Sequence, residues 1–109
     1  MSGLKTSQFK IADVIYLNLG NAYYKNAQLK QAKFHLYQAL KIRIKSIEKN
    51  PTPVGRSYIC LGNVEVSLGN HKKAKEHYHK AHAIFLKALG VEHEHTKLMT
   101  KKLNELNDQ

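Results

Sequence analysis

Displaced against itself by 42 residues, the chain matches without a gap. Tyr16 falls on Tyr58, Leu19 on Leu61, Gly20 on Gly62 and Asn21 on Asn63. Further along, Lys30 meets Lys72, Ala32 meets Ala74, Lys33 meets Lys75 and His35 meets His77. Ala39 then meets Ala81, Ile42 meets Ile84 and Lys45 meets Lys87. A fixed period of this length marks a repeat architecture, in which each unit is one supersecondary element that buries its apolar face only by stacking on its neighbour.

Each period reads as two helices. Ile11, Val14, Ile15, Leu17, Leu19, Ala22 and Tyr23 recur at helical spacing. "KNAQ" interrupts the pattern, and Leu29, Ala32, Phe34, Leu36, Ala39 and Leu40 begin a second amphipathic stretch that continues through Ile42, Ile44 and Ile47. "NPTP" at 50–53 ends it, because proline lacks an N–H and restricts the residue before it. The second period repeats the design. Tyr58, Ile59, Leu61, Val64 and Leu68 fall on its first helix; Ala74, Tyr78, Ala81, Ile84, Phe85 and Leu89 fall on its second. After "GVEHE", Leu98, Met99, Leu103 and Leu106 read as a fifth helix.

Glycine inside a helix costs about 1 kcal/mol against alanine. Gly20 and Gly62, retained at the same place in both periods, therefore predict close helix–helix approach, with Ala32 and Ala74 opposite them. "LGN" also occurs a third time, at Leu68-Gly69-Asn70, out of phase with the other two. That copy reads as a helix end, with Gly69 left-handed at the C-cap.

These positions resemble the tetratricopeptide repeat over residues 10–89. Tyr16, Leu19, Gly20, Tyr23, Ala32, Leu36 and Ala39 fit its pattern, as do Tyr58, Leu61, Gly62, Ala74, Tyr78 and Ala81. Glu65 stands where the pattern has tyrosine. The period, with "KALGVEHEHTK" at 87–97, is similar to the long repeat of kinesin light chains, through Leu89, Gly90, His93 and Thr96. Glu94 replaces the proline of that linker, and "SIEKNPTPVG" does not follow it.

The resemblance implies an all-α solenoid: antiparallel helix-turn-helix repeats stacked as a short right-handed superhelix. Repeat one covers about 13–54, repeat two about 55–96 and a capping helix about 96–107. Such a chain is a small adaptor or a segment of a longer array. The resemblance further implies a non-catalytic scaffold that holds a partner peptide in a groove lined by the first helix of each repeat.

In that register the groove takes Val14, Leu17, Asn18, Asn21, Tyr24 and Lys25 from the first such helix. Arg56, Ile59, Cys60, Asn63, Val66 and Ser67 come from the second, and Lys101, Lys102 and Glu105 from the last. The peptide-binding candidates are Asn18, Asn21, Tyr24, Lys25, Arg56, Asn63, Lys101 and Lys102. Asparagine is disfavoured inside helices, and its amide offers both donor and acceptor to a peptide backbone. Arg56, Lys101 and Lys102 suit an acidic side chain or terminal carboxylate. Leu17 stands where the carboxylate clamp of other members has lysine, so the full clamp is absent.

Lysine and arginine total 18 against 8 acidic residues, a net charge of +10. That balance favours acidic partners. A Lys-rich second-helix face, including Lys30, Lys33, Lys72, Lys73 and Lys75, makes nucleic acid the alternative. It is the weaker one, since few aromatics interleave the cations and no RNA-binding signature is visible. Self-association through the terminal helix or an open first helix is a third expectation. Seven histidines are present, but His77 and His79 point to different faces, "HExxH" is absent, and the histidines read as outer-face residues. No metal, cofactor or catalytic constellation is expected. Cys60 is the only cysteine, which excludes an internal disulfide. With no apolar run long enough to span a bilayer, the reading is a reduced, cytoplasmic protein; the resemblance adds association with the cytoskeleton.

Overall fold

The structure, a computed structural model, describes residues 2–107, with side chains from residue 11 onward. It consists of helices α1 (Ser2–Lys25), α2 (Leu29–Ile44), α3 (Thr52–Ser67), α4 (His71–Leu89) and α5 (Glu94–Asn107). Each helix packs on the next in sequence, and α1 also touches α3. The result is an all-α repeat solenoid of two hairpins followed by a fifth helix.

The two repeated glycines do what their spacing implies. A Cβ on Gly20 would lie 2.7 Å from the Leu36 side chain, and one on Gly62 would meet the Tyr78 ring. Bare backbone there lets α1 close on α2 and α3 close on α4. Ala32, Leu36, Leu61, Ala74, Tyr78 and Ala81 form the continuous core that results. Leu19, by contrast, is exposed although Leu61 is fully buried. Ile11, Val14 and Ile15 are exposed as well, so most of the apolar spacing read on α1 faces outward rather than into the core.

Both interhelix turns use one geometry on different sequences. Gly69 has φ +81°, and the Asn70 and Gly69 N–H groups donate to Glu65 and Val66 carbonyls. Ala27, its counterpart, has φ +61°, with Gln28 and Ala27 donating to Tyr23 and Tyr24. These are Schellman pairs that satisfy the last carbonyls of α1 and α3. Alanine thus holds a left-handed conformation that normally falls to glycine. α2 ends at Ile44, before the prolines, and turns occupy 45–49; the prolines instead begin α3, where a missing N–H costs nothing. On the other linker, Gly90 has φ +91°, His93 Nδ1 accepts from the His95 N–H, and the Thr96 hydroxyl donates to the Gly90 carbonyl. Those linker residues therefore have a turn-forming role.

The two junctions between stacked helices differ in chemistry at equivalent positions. Arg43 donates to Asp13 on α1 at 2.7 Å, to the Pro53 carbonyl at 3.1 Å and to the Ser57 hydroxyl at 3.2 Å. One period later the same node is apolar: Phe85 lies fully buried against Gly55 and within 5.2 Å of the His95 ring.

Glu65, the departure from the repeat pattern, is the other polar node. In the first repeat Tyr23 stacks on His35 at 5.1 Å. In the second, Glu65 is fully buried near His77, its Oε1 accepting from the Asn70 amide at 3.0 Å. Lys33 reaches it from α2, placing Nζ 3.1 Å from Oε2 but off the direction of a hydrogen bond, so this contact is an ion pair. Asn70 begins α4 without capping it, its side chain being turned to Glu65. Burial works to raise the Glu65 pKa, yet the Asn70 amide and Lys33 ammonium outweigh it and hold the carboxyl below its ordinary value. His77 is buried, not on the outer face as expected. It sits against the Tyr58 ring and within 3.3 Å of the Tyr37 hydroxyl. Burial lowers its pKa, which keeps the imidazole neutral at neutral pH.

Candidate functional site

α1, α3 and α5 are the first helices of their units, and their C-terminal halves converge on one pocket of about 240 Å³. It is lined by Tyr24, Asn63, Val66, Tyr78, Lys102, Glu105 and Leu106. The convergence follows from the repeat: Tyr24 and Val66 are one period apart, as are Asn63 and Glu105, so equivalent faces of successive helices meet at one place.

Three of the eight expected site residues, Tyr24, Asn63 and Lys102, line this pocket. Asn18, Lys25, Arg56 and Lys101 are exposed and lie outside its lining. Asn21 is half-buried and lies outside the pocket lining, near the Cys60 thiol. Burial pushes that thiol up, against the lowering effect of Arg43 and Asn21, which reduces thiolate character.

Asn21 and Asn63 are equivalent in sequence but face different side chains across the hairpin. Tyr78 donates its hydroxyl to Asn63 Oδ1 at 2.5 Å. Leu36 occupies the corresponding place in the first repeat and has no hydroxyl to offer. Asn63 is thereby held by its acceptor, and its amide NH₂ is the half that remains for a ligand. Tyr78 itself is pushed up to about 12, by burial first and by Tyr24 and Glu105 next. It stays a protonated donor.

Lys102 extends over the Tyr78 ring, its ammonium 5.6 Å from the centroid. Ser67 donates to the Tyr24 hydroxyl at 3.4 Å. Around one small volume the structure thus gathers an amide donor, a phenol, an ammonium and the Glu105 carboxylate, with Val66 and Leu106 as apolar walls. Concave, partly apolar pockets with a few convergent polar groups are the usual form of a binding site. Sequence reasoning missed Tyr78, which reads there as core. The available signal was its phenol: a buried tyrosine hydroxyl needs a partner, and Asn63 is the polar residue beside Gly62 on the facing helix.

On the opposite side, Lys33 is committed to Glu65, which removes one cation from the basic second-helix face. Among the described residues no helix is long and apolar enough to cross a membrane, and no group of three or more His, Cys, Asp or Glu is placed to hold a metal.

Models of the tetratricopeptide repeat match residues 14–43 and residues 54–95, the latter spanning one whole period. No curated protein and no solved structure matches the chain.

Proposed function

The chain belongs to the tetratricopeptide-repeat family, whose members generally mediate protein–protein interaction, and from that premise we propose that it is a scaffold seating an acidic partner segment in the α1–α3–α5 pocket. The reading takes repeats 13–54 and 55–96 as the stacked units, with 96–107 as the cap. The 42-residue period favours the long, kinesin-light-chain-like type of repeat and, with the lone thiol, a cytoplasmic setting.

The observation that carries the reading is the meeting of Tyr24, Asn63 and Lys102 around one pocket. An incoming carboxylate takes the Lys102 ammonium and the Tyr24 hydroxyl. The Asn63 amide NH₂ donates to a peptide carbonyl beside it. Glu105, one turn from Lys102, accepts a peptide N–H and repels a second acidic side chain, so a single carboxylate flanked by neutral residues is preferred over a run of them. The bound segment undergoes no chemistry: the groups present bind and orient.

Fluorescence anisotropy with labelled heptapeptides tests this. A neutral peptide carrying one central glutamate is compared with its glutamine counterpart and with a poly-glutamate peptide. The single-glutamate probe binds most tightly; Lys102→Ala weakens it about tenfold or more, the loss expected of a charge-assisted hydrogen bond, and Asn63→Ala weakens it about fivefold, the loss expected of a neutral one. Equal affinity for the glutamate and glutamine probes, or unchanged affinity in both variants, overturns the assignment.

A further inference from the structure

We infer that the exposed face of α1 is the seat of a second copy of this chain, paired α1 against α1 about a two-fold axis. The internal repeat itself shows that this face is built to be covered. Ile15, Ser57 and Met99 occupy one register position on α1, α3 and α5; Leu19, Leu61 and Leu103 occupy the next, and Ala22, Val64 and Leu106 the one after. On α3 and α5 all of these are buried, because α2 stacks on the first set and α4 on the second. Among the described residues, no helix stacks on this face of α1. Ile11, Ile15 and Leu19 stand 58%, 51% and 40% exposed, with Val14 beside them at 48%.

The opposite end of the stack is finished differently. On α5, the register of Tyr58 and Gly62, which in α3 faces its own second helix, carries Thr100 and Asn104, both polar and exposed. That face of α5 is polar, whereas the exposed face of α1 is apolar.

A second copy cannot cover that face with α2 or α4, whose stacking sides are already taken by α3 and α5. It can offer only its own α1, and α1 is self-complementary. Residues 11–24 contain no lysine or arginine, in a chain of net charge +10. Asp13, the one acidic residue there, is bound to Arg43. On this face two copies meet without repulsion between lysines or arginines, and a partner recognised by charge is drawn elsewhere. Asn18 lies among the exposed apolar residues. An amide is both donor and acceptor, so across a two-fold axis it pairs with its own copy, the device that fixes register in helix pairs. Antiparallel α1 helices also oppose their dipoles favourably. The area covered in such a pair is on the order of 1,000 Å², near the lower limit for a specific interface, which implies a concentration-dependent dimer.

Sedimentation equilibrium on the full chain, from micromolar to near-millimolar concentration, tests this. The weight-average mass rises from 12.5 kDa towards twice that value. Ile15→Glu with Leu19→Glu holds it at the monomer mass with unchanged helical circular dichroism. Leu86→Glu, at an exposed leucine on α4, retains the wild-type curve. Independently, Asn18→Cys in a Cys60→Ser background oxidises to a covalent dimer, a result that does not depend on the glutamate variant folding. A wild-type chain that stays monomeric throughout overturns the pairing, as does dimerisation of the folded double variant or a failure of Asn18→Cys to cross-link.

Discussion

Replacing Lys33 with methionine should destabilise the domain more than replacing Glu65 with glutamine, although both changes remove the same ion pair. The asymmetry comes from access to water. The Glu65 side chain is 0% exposed and that of Lys33 28%. Lys33→Met leaves an ionised carboxylate buried with the Asn70 amide and, 3.9 Å away, the neutral His77 ring as its polar neighbours, and breaking a buried pair in this way costs about 3 kcal/mol or more. Glu65→Gln preserves the shape and leaves an oxygen to accept from Asn70, while the half-wet Lys33 turns to solvent. Its cost is the net worth of one charge-assisted contact, about 1.5–2 kcal/mol. Urea unfolding followed by circular dichroism at pH 7 should then separate the two midpoints by roughly 1 M, given slopes of about 1–3 kcal/mol/M for small domains. The pH dependence has a definite sign. The Glu65 carboxyl is held below its ordinary value in the fold, so its contribution is present above the unfolded pKa of about 4.3 and is lost as pH falls through the folded value. The advantage of the wild type over Glu65→Gln should therefore shrink below about pH 4. Equal midpoints for the two variants, a milder effect of Lys33→Met, or a Glu65→Gln deficit that persists unchanged at pH 3 would show that Glu65 is not a buried carboxylate held ionised by Lys33.

Ala27→Gly should stabilise the fold by about 0.5–1 kcal/mol, since it relieves a left-handed alanine while adding some unfolded-state entropy; thermal unfolding would then shift upward by a few degrees, and a downward shift would contradict the turn geometry. Gly62→Ala should do the opposite. The new methyl meets the Tyr78 ring, and the overpacking cost of about 1–3 kcal/mol outweighs the roughly 1 kcal/mol that alanine gains in helix propensity. A higher melting temperature for that variant would mean that α3 and α4 have room to separate.

The helices, their pairing and the two close-approach glycines were legible because each is fixed by local spacing and by what a missing side chain permits. Leu19 and Leu61 show where that reading ends. They are the same residue at the same register, and only the presence of a neighbouring helix decides that one is buried and the other exposed. Glu65 and His77 show a second limit. Each alone looks like a surface residue; Glu65 is buried with Lys33 reaching over from the preceding repeat, and His77 is buried against Tyr58 and Tyr37. For the pocket, register brought Tyr24, Asn63 and Lys102 forward from three separate helices. It did not reveal that Tyr78 would occupy the acceptor of Asn63, because a tyrosine at that position also reads as core.

We propose that ligand recognition belongs to the α1–α3–α5 pocket rather than to the Lys-rich faces of α2 and α4. The most direct measurement is a ¹⁵N-resolved NMR titration of the whole chain with the single-glutamate peptide. Binding in the pocket shifts the Asn63 side-chain amide and the backbone amides around Tyr24 and Lys102 most strongly. Shifts centred instead on Lys72, Lys73 and Lys75, with the Asn63 amide unmoved, would contradict it.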